Sequence, residues 1–249
     1  MKKMTYLFMS AAVAVSASSA LAHNCCHMAG FYAGANIGYG SGYGKMSMDA
    51  FRVVDPDHNV KQLHHLGLSG FRGGVHIGYG TLFQNKFYLG VEGSADLSNT
   101  HGKSHVIAMD RNGDHFLPVF NFRARRRDSL GLAVRVGGML GGMLAYAKVG
   151  VETARWRFDA LQASYLGGGQ AGRNFFSSIG QTKRLTGVVF GLGMETMLTD
   201  HIILGGEWVY TNYTKAPSLP LTYRTTAESL VFKFSPRTND FRLRLSYKW

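Results

Sequence analysis

After residue 22, this chain of 249 residues holds no apolar run long enough for a membrane-crossing helix, which needs about 20 residues. It has two cysteines, Cys25 and Cys26, side by side ahead of the first strand signal, so no disulfide framework can staple distant loops. Proline is scarce, at 5 residues, and only 17% of the chain is charged. Long polar helix patterns are missing as well. Acids are outnumbered, 15 against 27 Lys and Arg, a net charge of +12. The bases do not cluster on one helix, which argues against a nucleic-acid partner.

What is present begins with an export signal. Lys2 and Lys3 precede an Ala/Val/Ser-rich stretch, and Ala20-Leu21-Ala22 is a small-x-small cleavage site. Residues 1–22 are expected to be a cleaved signal peptide, 23–29 a short periplasmic leader and 30–249 a single domain. The first cysteine follows His23 and Asn24, so a lipobox is not indicated. Removing Lys2 and Lys3 lowers the net charge from +12 to +10. For an exported basic chain, anionic lipopolysaccharide or acidic host polymers are the expected partners.

The rest is a series of two-faced strands with period two. The end, "FRLRLSYKW", sets Phe241, Leu243, Leu245, Tyr247 and Trp249 against Arg242, Arg244, Ser246 and Lys248. Seven earlier segments alternate in the same way, near 31–39, 71–79, 87–96, 129–136, 145–152, 188–195 and 202–211. Short turns are expected near 84–86, 140–142 and 198–200. Long polar loops are expected at 47–68, 98–127, 159–182 and 215–238. Tight turns at one end and long connections at the other predict an all-β, eight-stranded antiparallel up-and-down transmembrane barrel.

Alternation alone does not say which face is inside, because a soluble barrel has the same period with the faces reversed. Aromatics decide it. Phe31/Tyr39, Phe71/Tyr79 and Phe241/Trp249 are eight residues apart on one face, with no charge between them on that face. Eight tilted steps rise on the order of 20 Å, close to the separation of two aromatic girdles. Trp208 and Tyr210 extend the girdle assignment. The opposite face carries Arg72, His76, Glu92, Asp96, Arg135, Lys148, Glu152, Glu195, Glu207, Arg242, Arg244 and Lys248. Near-balanced acids and bases allow a packed, ion-paired lumen rather than a diffusion pore.

"GFYAGANIGYG", "GVVFGLGMETMLTDHIILGGEWVYTNYT" and "FRLRLSYKW" resemble the first, the sixth-to-seventh and the last strands of the OmpA-like, opacity-type small outer-membrane barrels. The resemblance implies a Gram-negative outer membrane, extracellular loops and periplasmic termini. It also implies that Phe241, Tyr247 and Trp249 serve as the signal read by the barrel-assembly machinery; a terminal Trp replaces the commoner Phe. It implies a structural, surface-exposed role with loops that meet host surface molecules or the environment.

Other chemistry is weighed on single residues. Arg123, Arg125, Arg126 and Arg127 form the densest basic cluster and are expected at the lipopolysaccharide headgroups. His58, His64, His65, His101, His105 and His115 crowd the first two long loops. They are the candidates for haem or metal capture, since imidazole ligates both and some relatives are haemin-binding. No resident cofactor or metal is expected. His23, Cys25, Cys26 and His27 have metal-capable side chains but no structure to fix them. Lipid A-modifying catalysis would need a Ser–His pair. His76 and His201 have no Ser two residues away. The Gly-rich pieces "GYGSGYG" and "LGGGQAG" lack the context of nucleotide loops. No enzyme activity is expected.

Overall fold

The computed structural model describes residues 28–52, 61–84, 86–109, 116–163, 178–213, 218–222 and 228–249. The expected signal peptide, residues 23–27 of the expected leader with Cys25 and Cys26, and also His58 and His115, lie outside the described residues, while Met28 of that leader is buried in the barrel.

Ten strand segments form one sheet: β1 (Gly30–Arg52), β2 (Lys61–Phe83), β3 (Phe87–Ser98), β4 (His101–Met109), β5 (Phe116–Leu140), β6 (Met143–Ala163), β7 (Ser178–Met197), β8 (Ile202–Tyr213), β9 (Ser218–Thr222) and β10 (Glu228–Lys248). All ladders are antiparallel between chain neighbours, and β1 closes onto β10 from Tyr32↔Lys248 to Arg52↔Glu228. β3 and β4 form one stave interrupted at Asn99-Thr100; Asn99 N–H donates to Phe71 O and Arg126 N–H to Thr100 O, which stitches the gap. β9 pairs with β10 beyond the end of β8. The result is a closed eight-stave barrel, and among the described residues no helix is long and apolar enough to cross a membrane.

The turns follow from local chemistry. Gly141 (φ 55°) and Gly142 (φ 88°) supply the two positive φ angles of a two-residue hairpin turn between β5 and β6. Thr199 Oγ1 accepts from Ile202 N–H at 3.1 Å, closing the turn between β7 and β8.

The outer face of the lower barrel is apolar. Phe31, Ile37, Phe71, Ile77, Leu132, Leu192 and Leu243 are each 58–68% exposed. The registers Phe71↔Tyr39↔Phe241↔Trp208 carry one aromatic girdle across four strands. Tyr39 and Phe71 rings lie 5.3 Å apart, and at the other girdle Phe31 and Tyr79 lie 4.7 Å apart.

The strands do not stop at the upper girdle. Strand extends into every segment expected as a loop, at 47–68, 98–127, 159–182 and 215–238: β1 reaches Arg52, β2 starts at Lys61, β4 and β5 cover 101–109 and 116–127, β6 reaches Ala163, β7 starts at Ser178 and β10 at Glu228. The reason is an inversion of polarity along each strand. On β6, Val149 and Val151 face out and Lys148 and Glu152 face in; four residues on, Arg155 and Arg157 face out while Trp156 and Phe158 are buried. The period stays two, but the oily face changes sides.

At this tall end the ladder splits. β7 pairs with β8 only from Gly187, and β2 meets β4 only at Ser69↔His101. Among the described residues, two four-strand leaves remain: β4-β5-β6-β7 and β9-β10-β1-β2. An aromatic layer holds them together. Phe234 of one leaf lies 5.7 Å from Phe122, 5.5 Å from Phe158 and 6.2 Å from Trp156 of the other. A Cβ on Gly44 would strike the Phe234 ring, so that close approach requires glycine.

Candidate functional site

The lumen is filled in layers. Nearest the tight turns, Met28, Tyr88, Leu144, Tyr146, Met197 and Ile203 form an apolar cap. Above it lies a first ionic cluster. Glu92 takes Arg244, Arg135 at 3.3 Å and Lys148 at 3.4 Å. Glu207 takes Lys148 at 2.8 Å and Arg244 at 2.9 Å, and Glu195 takes Arg135 at 2.7 Å. The Arg135 guanidinium sits 3.7 Å from the centre of the Tyr146 ring, a cation–π contact between buried groups.

A second cluster follows. Arg72 reaches Asp96 at 2.5 Å, Asp240 at 2.5 Å and Glu152 at 2.6 Å. Arg126 pairs with Glu152 and, at 3.2 Å, with Asp240. Arg242 links the clusters, 3.8 Å from Glu207 and 3.5 Å from Asp240. Buried charges survive only when paired and hydrogen-bonded. The six acids of this mesh, Asp240 among them, face six bases, while Lys148 and Arg242 reach acids on several strands at once. Lys248 is buried apart from them, near the turns. The void beside Glu92, Lys148, Glu152 and Arg242 measures about 10 Å³, room for one water at most.

Two members of the mesh were not expected there. Arg126 was assigned to the headgroup collar; it is instead fully buried in the lumen. A one-residue bulge causes this: Arg126 pairs with Trp156 and Ser129 with Ala154, so three residues on β5 span two on β6 and both Arg126 and Ser129 point inward. Asp240 was missed because the strand was read only from Phe241; extending the alternation one step would have found it. A third surprise is a Ser–His contact. His76 Nε2 lies 2.8 Å from Ser246 Oγ, across Gly34, where a Cβ would collide with the backbone and side chain of Ser246. The partners are 170 residues apart, so only barrel closure brings them together.

Outside, Arg123 and Arg125 are half-buried on the outer face of β5 and Arg127 is exposed. Trp208 and Tyr210 face outward on β8, half-buried, and Tyr247 and Trp249 are exposed at the turn end, their rings 5.3 Å apart. His64 and His65 stand on β2, and His101 and His105 on β4, in strands rather than in loops. His101 Nδ1 is 2.9 Å from Asn99 O. Among the described residues no group of three metal-capable side chains converges.

A closed sheet that is apolar outside and ion-paired inside defines a membrane-spanning β-barrel, since closure leaves no unpaired backbone edge in lipid. The chain belongs to the outer membrane protein beta-barrel domain family, whose model matches residues 8–248. No curated protein matches the sequence significantly. Among solved structures, the outer membrane protease OmpT of Escherichia coli is similar at 8% identity and a TM-score of 0.52, over 88% of this chain and 97% of that one. OprG of Pseudomonas aeruginosa is similar at 14% identity and a TM-score of 0.47, over 90% and 98%. Ail, the attachment invasion locus protein of Yersinia pestis, is similar at 11% identity and a TM-score of 0.36, over 88% and 99%.

Proposed function

We propose that this outer-membrane barrel is a non-catalytic surface protein whose tall end projects from the cell and contacts host surfaces or the environment, with the tight turns and termini in the periplasm. The observation that carries this is the height of the strands. From Tyr39 in the upper girdle, β1 continues for thirteen residues to Arg52, roughly 30 Å at ordinary rise and tilt. A folded, polar-faced extension of that size serves contact better than conduction.

The orientation is tested by labelling intact cells with a membrane-impermeant maleimide, in a background lacking Cys25 and Cys26. Lys45→Cys on the tall end is expected to react, and Lys86→Cys at a tight turn to react only after permeabilisation; the reverse pattern overturns the orientation. The contact role predicts that a deletion strain binds host cells or matrix less well and regains binding with the intact gene.

OmpT shares the fold and is a protease, but the fold alone does not transfer its chemistry. The His76–Ser246 pair is buried in the wall of a filled lumen, out of a substrate's reach. Lipid A from a deletion strain is accordingly expected to have an unchanged mass spectrum. The haem reading is supported only by the single meeting of β2 and β4 at Ser69↔His101, with His64 and His65 further along β2 and His105 further along β4. If it holds, replacing all four with Ala abolishes haem capture by intact cells.

A further inference from the structure

Met28 lies ahead of β1, yet it is only 4% exposed. It packs in the apolar cap with Tyr88 of β3, Leu144 and Tyr146 of β6, Met197 of β7 and Ile203 of β8. Those partners all stand on the wall of the barrel. Met28 alone in the cluster reaches it from outside the sheet.

Gly30 makes that entry possible. Its φ is +128°, where side-chain-bearing residues are strained, and a Cβ would lie 3.3 Å from Trp249 O and 3.4 Å from Lys248 Cε. The bend sends the preceding residues beneath the rim instead of along the line of β1. The wall beside it stays closed, since Trp249 N–H donates to Phe31 O at 3.1 Å.

The cap rests directly on the ionic mesh. The Tyr146 hydroxyl lies 3.0 Å from Glu207 and 3.3 Å from Glu195. Ser246, opposite Ile203 in the β10–β8 register and 4% exposed, is one step behind the cap. Ion pairs in this space are strengthened by the exclusion of water. A seal built of strand residues opens only if the wall unfolds. A seal carried on residues ahead of the wall opens by rotation at one bend. Among the described residues no hydrogen bond ties Met28 or Ala29 to the barrel, so apolar packing holds the segment in place. Methionine suits a removable tip, because its unbranched, flexible side chain fills an irregular gap without a fixed fit.

We propose that the segment ahead of β1 is a stopper for the turn-end mouth of the lumen. Gly30 is its hinge and Met28 its tip. Seated, it keeps water and small solutes from the ionic mesh; withdrawn, it admits them as far as Ser246 and the first ionic cluster.

The test uses the full mature chain in dodecyl maltoside with C25S/C26S, so that Ser246→Cys supplies the one thiol. Its reaction with a small charged methanethiosulfonate is timed, since a thiol behind a closed seal is out of reach. The thiol is expected to react at least ten-fold faster when M28G is added. M28L, which restores an apolar side chain of similar size, should return the protection. G30A should open the mouth as M28G does. G206A should leave the rate unchanged, because a Cβ there would meet nothing within 4 Å. A second probe, Ser129→Cys in place of Ser246→Cys, lies in the deeper cluster and should stay protected in M28G. Heat-modifiable electrophoretic mobility verifies that each barrel is folded. Equal protection of Ser246→Cys with and without the Met28 side chain overturns the stopper, and so does an M28L variant as reactive as M28G. An equal gain at Ser129→Cys also overturns it, because the whole barrel has then loosened. Full protection in G30A, or a rise in G206A as large as in G30A, overturns the hinge.

Discussion

Arg72 holds three carboxylates at once, from β3, β6 and β10, at 2.5–2.6 Å. Removing it leaves Asp96, Asp240 and Glu152 crowded together without their shared counter-ion. R72A is expected to lower stability by about 3–5 kcal/mol, the usual cost of orphaning a buried charge, measured by urea unfolding in vesicles. A G34A substitution should be comparably harmful for a steric reason, because its methyl would enter the β10 backbone and part His76 from Ser246; loss of heat-modifiable mobility would report it. Much of the charged interior was legible from alternation alone. Arg72, Glu92 and Glu207 occur at every second position opposite Phe, Val or Trp, and a closed sheet turns one face inward. Partnerships were not legible. Which acid meets which base depends on stagger around the cylinder, and the Ser246–His76 contact spans two ladders that no local pattern links.

The strands themselves teach a different lesson. Their lower halves were readable because aromatics bracket an uncharged outer face. Their upper halves passed for loops because Lys103 and Arg123 suggest solvent, while Phe122 and Phe234 belong to an apolar face turned inward instead of outward. A criterion built on oil outside cannot see a strand that has left the oil. The β5 bulge is the other hidden feature. It places Arg126 and Ser129 on the same side despite odd spacing. Deleting Asp128 would restore a regular ladder with β6 without turning either residue over; the variant is expected to assemble, losing the pairing of Asp128 with Leu97 on β3 and its contacts with Arg155 and Arg184. Deleting Ala133 has no bulge to absorb it and would throw every residue on one side of the gap onto the wrong face. Electrophoretic mobility of the two deletion variants without heating separates these outcomes: a folded band for the first, none for the second.

As a whole, the barrel is plugged three times over: by the apolar cap near the turns, by the ionic mesh and by the aromatic layer between the two leaves. Purified protein in planar bilayers is expected to show no stable large conductance, and a persistent open channel in single-channel recording would contradict the packed lumen. The reversal of polarity along each stave also works as a float line. If the cylinder sank, the guanidinium groups on β5 to β7 would be drawn toward hydrocarbon, at a cost that grows from about 0–1 kcal/mol each near the interface to a few kcal/mol each at mid-depth. If it rose, Phe71, Phe241 and their neighbours would meet water. Immersion is therefore set by the protein itself, through the arginines on β5 to β7 and the aromatic girdle on β1, β2, β8 and β10.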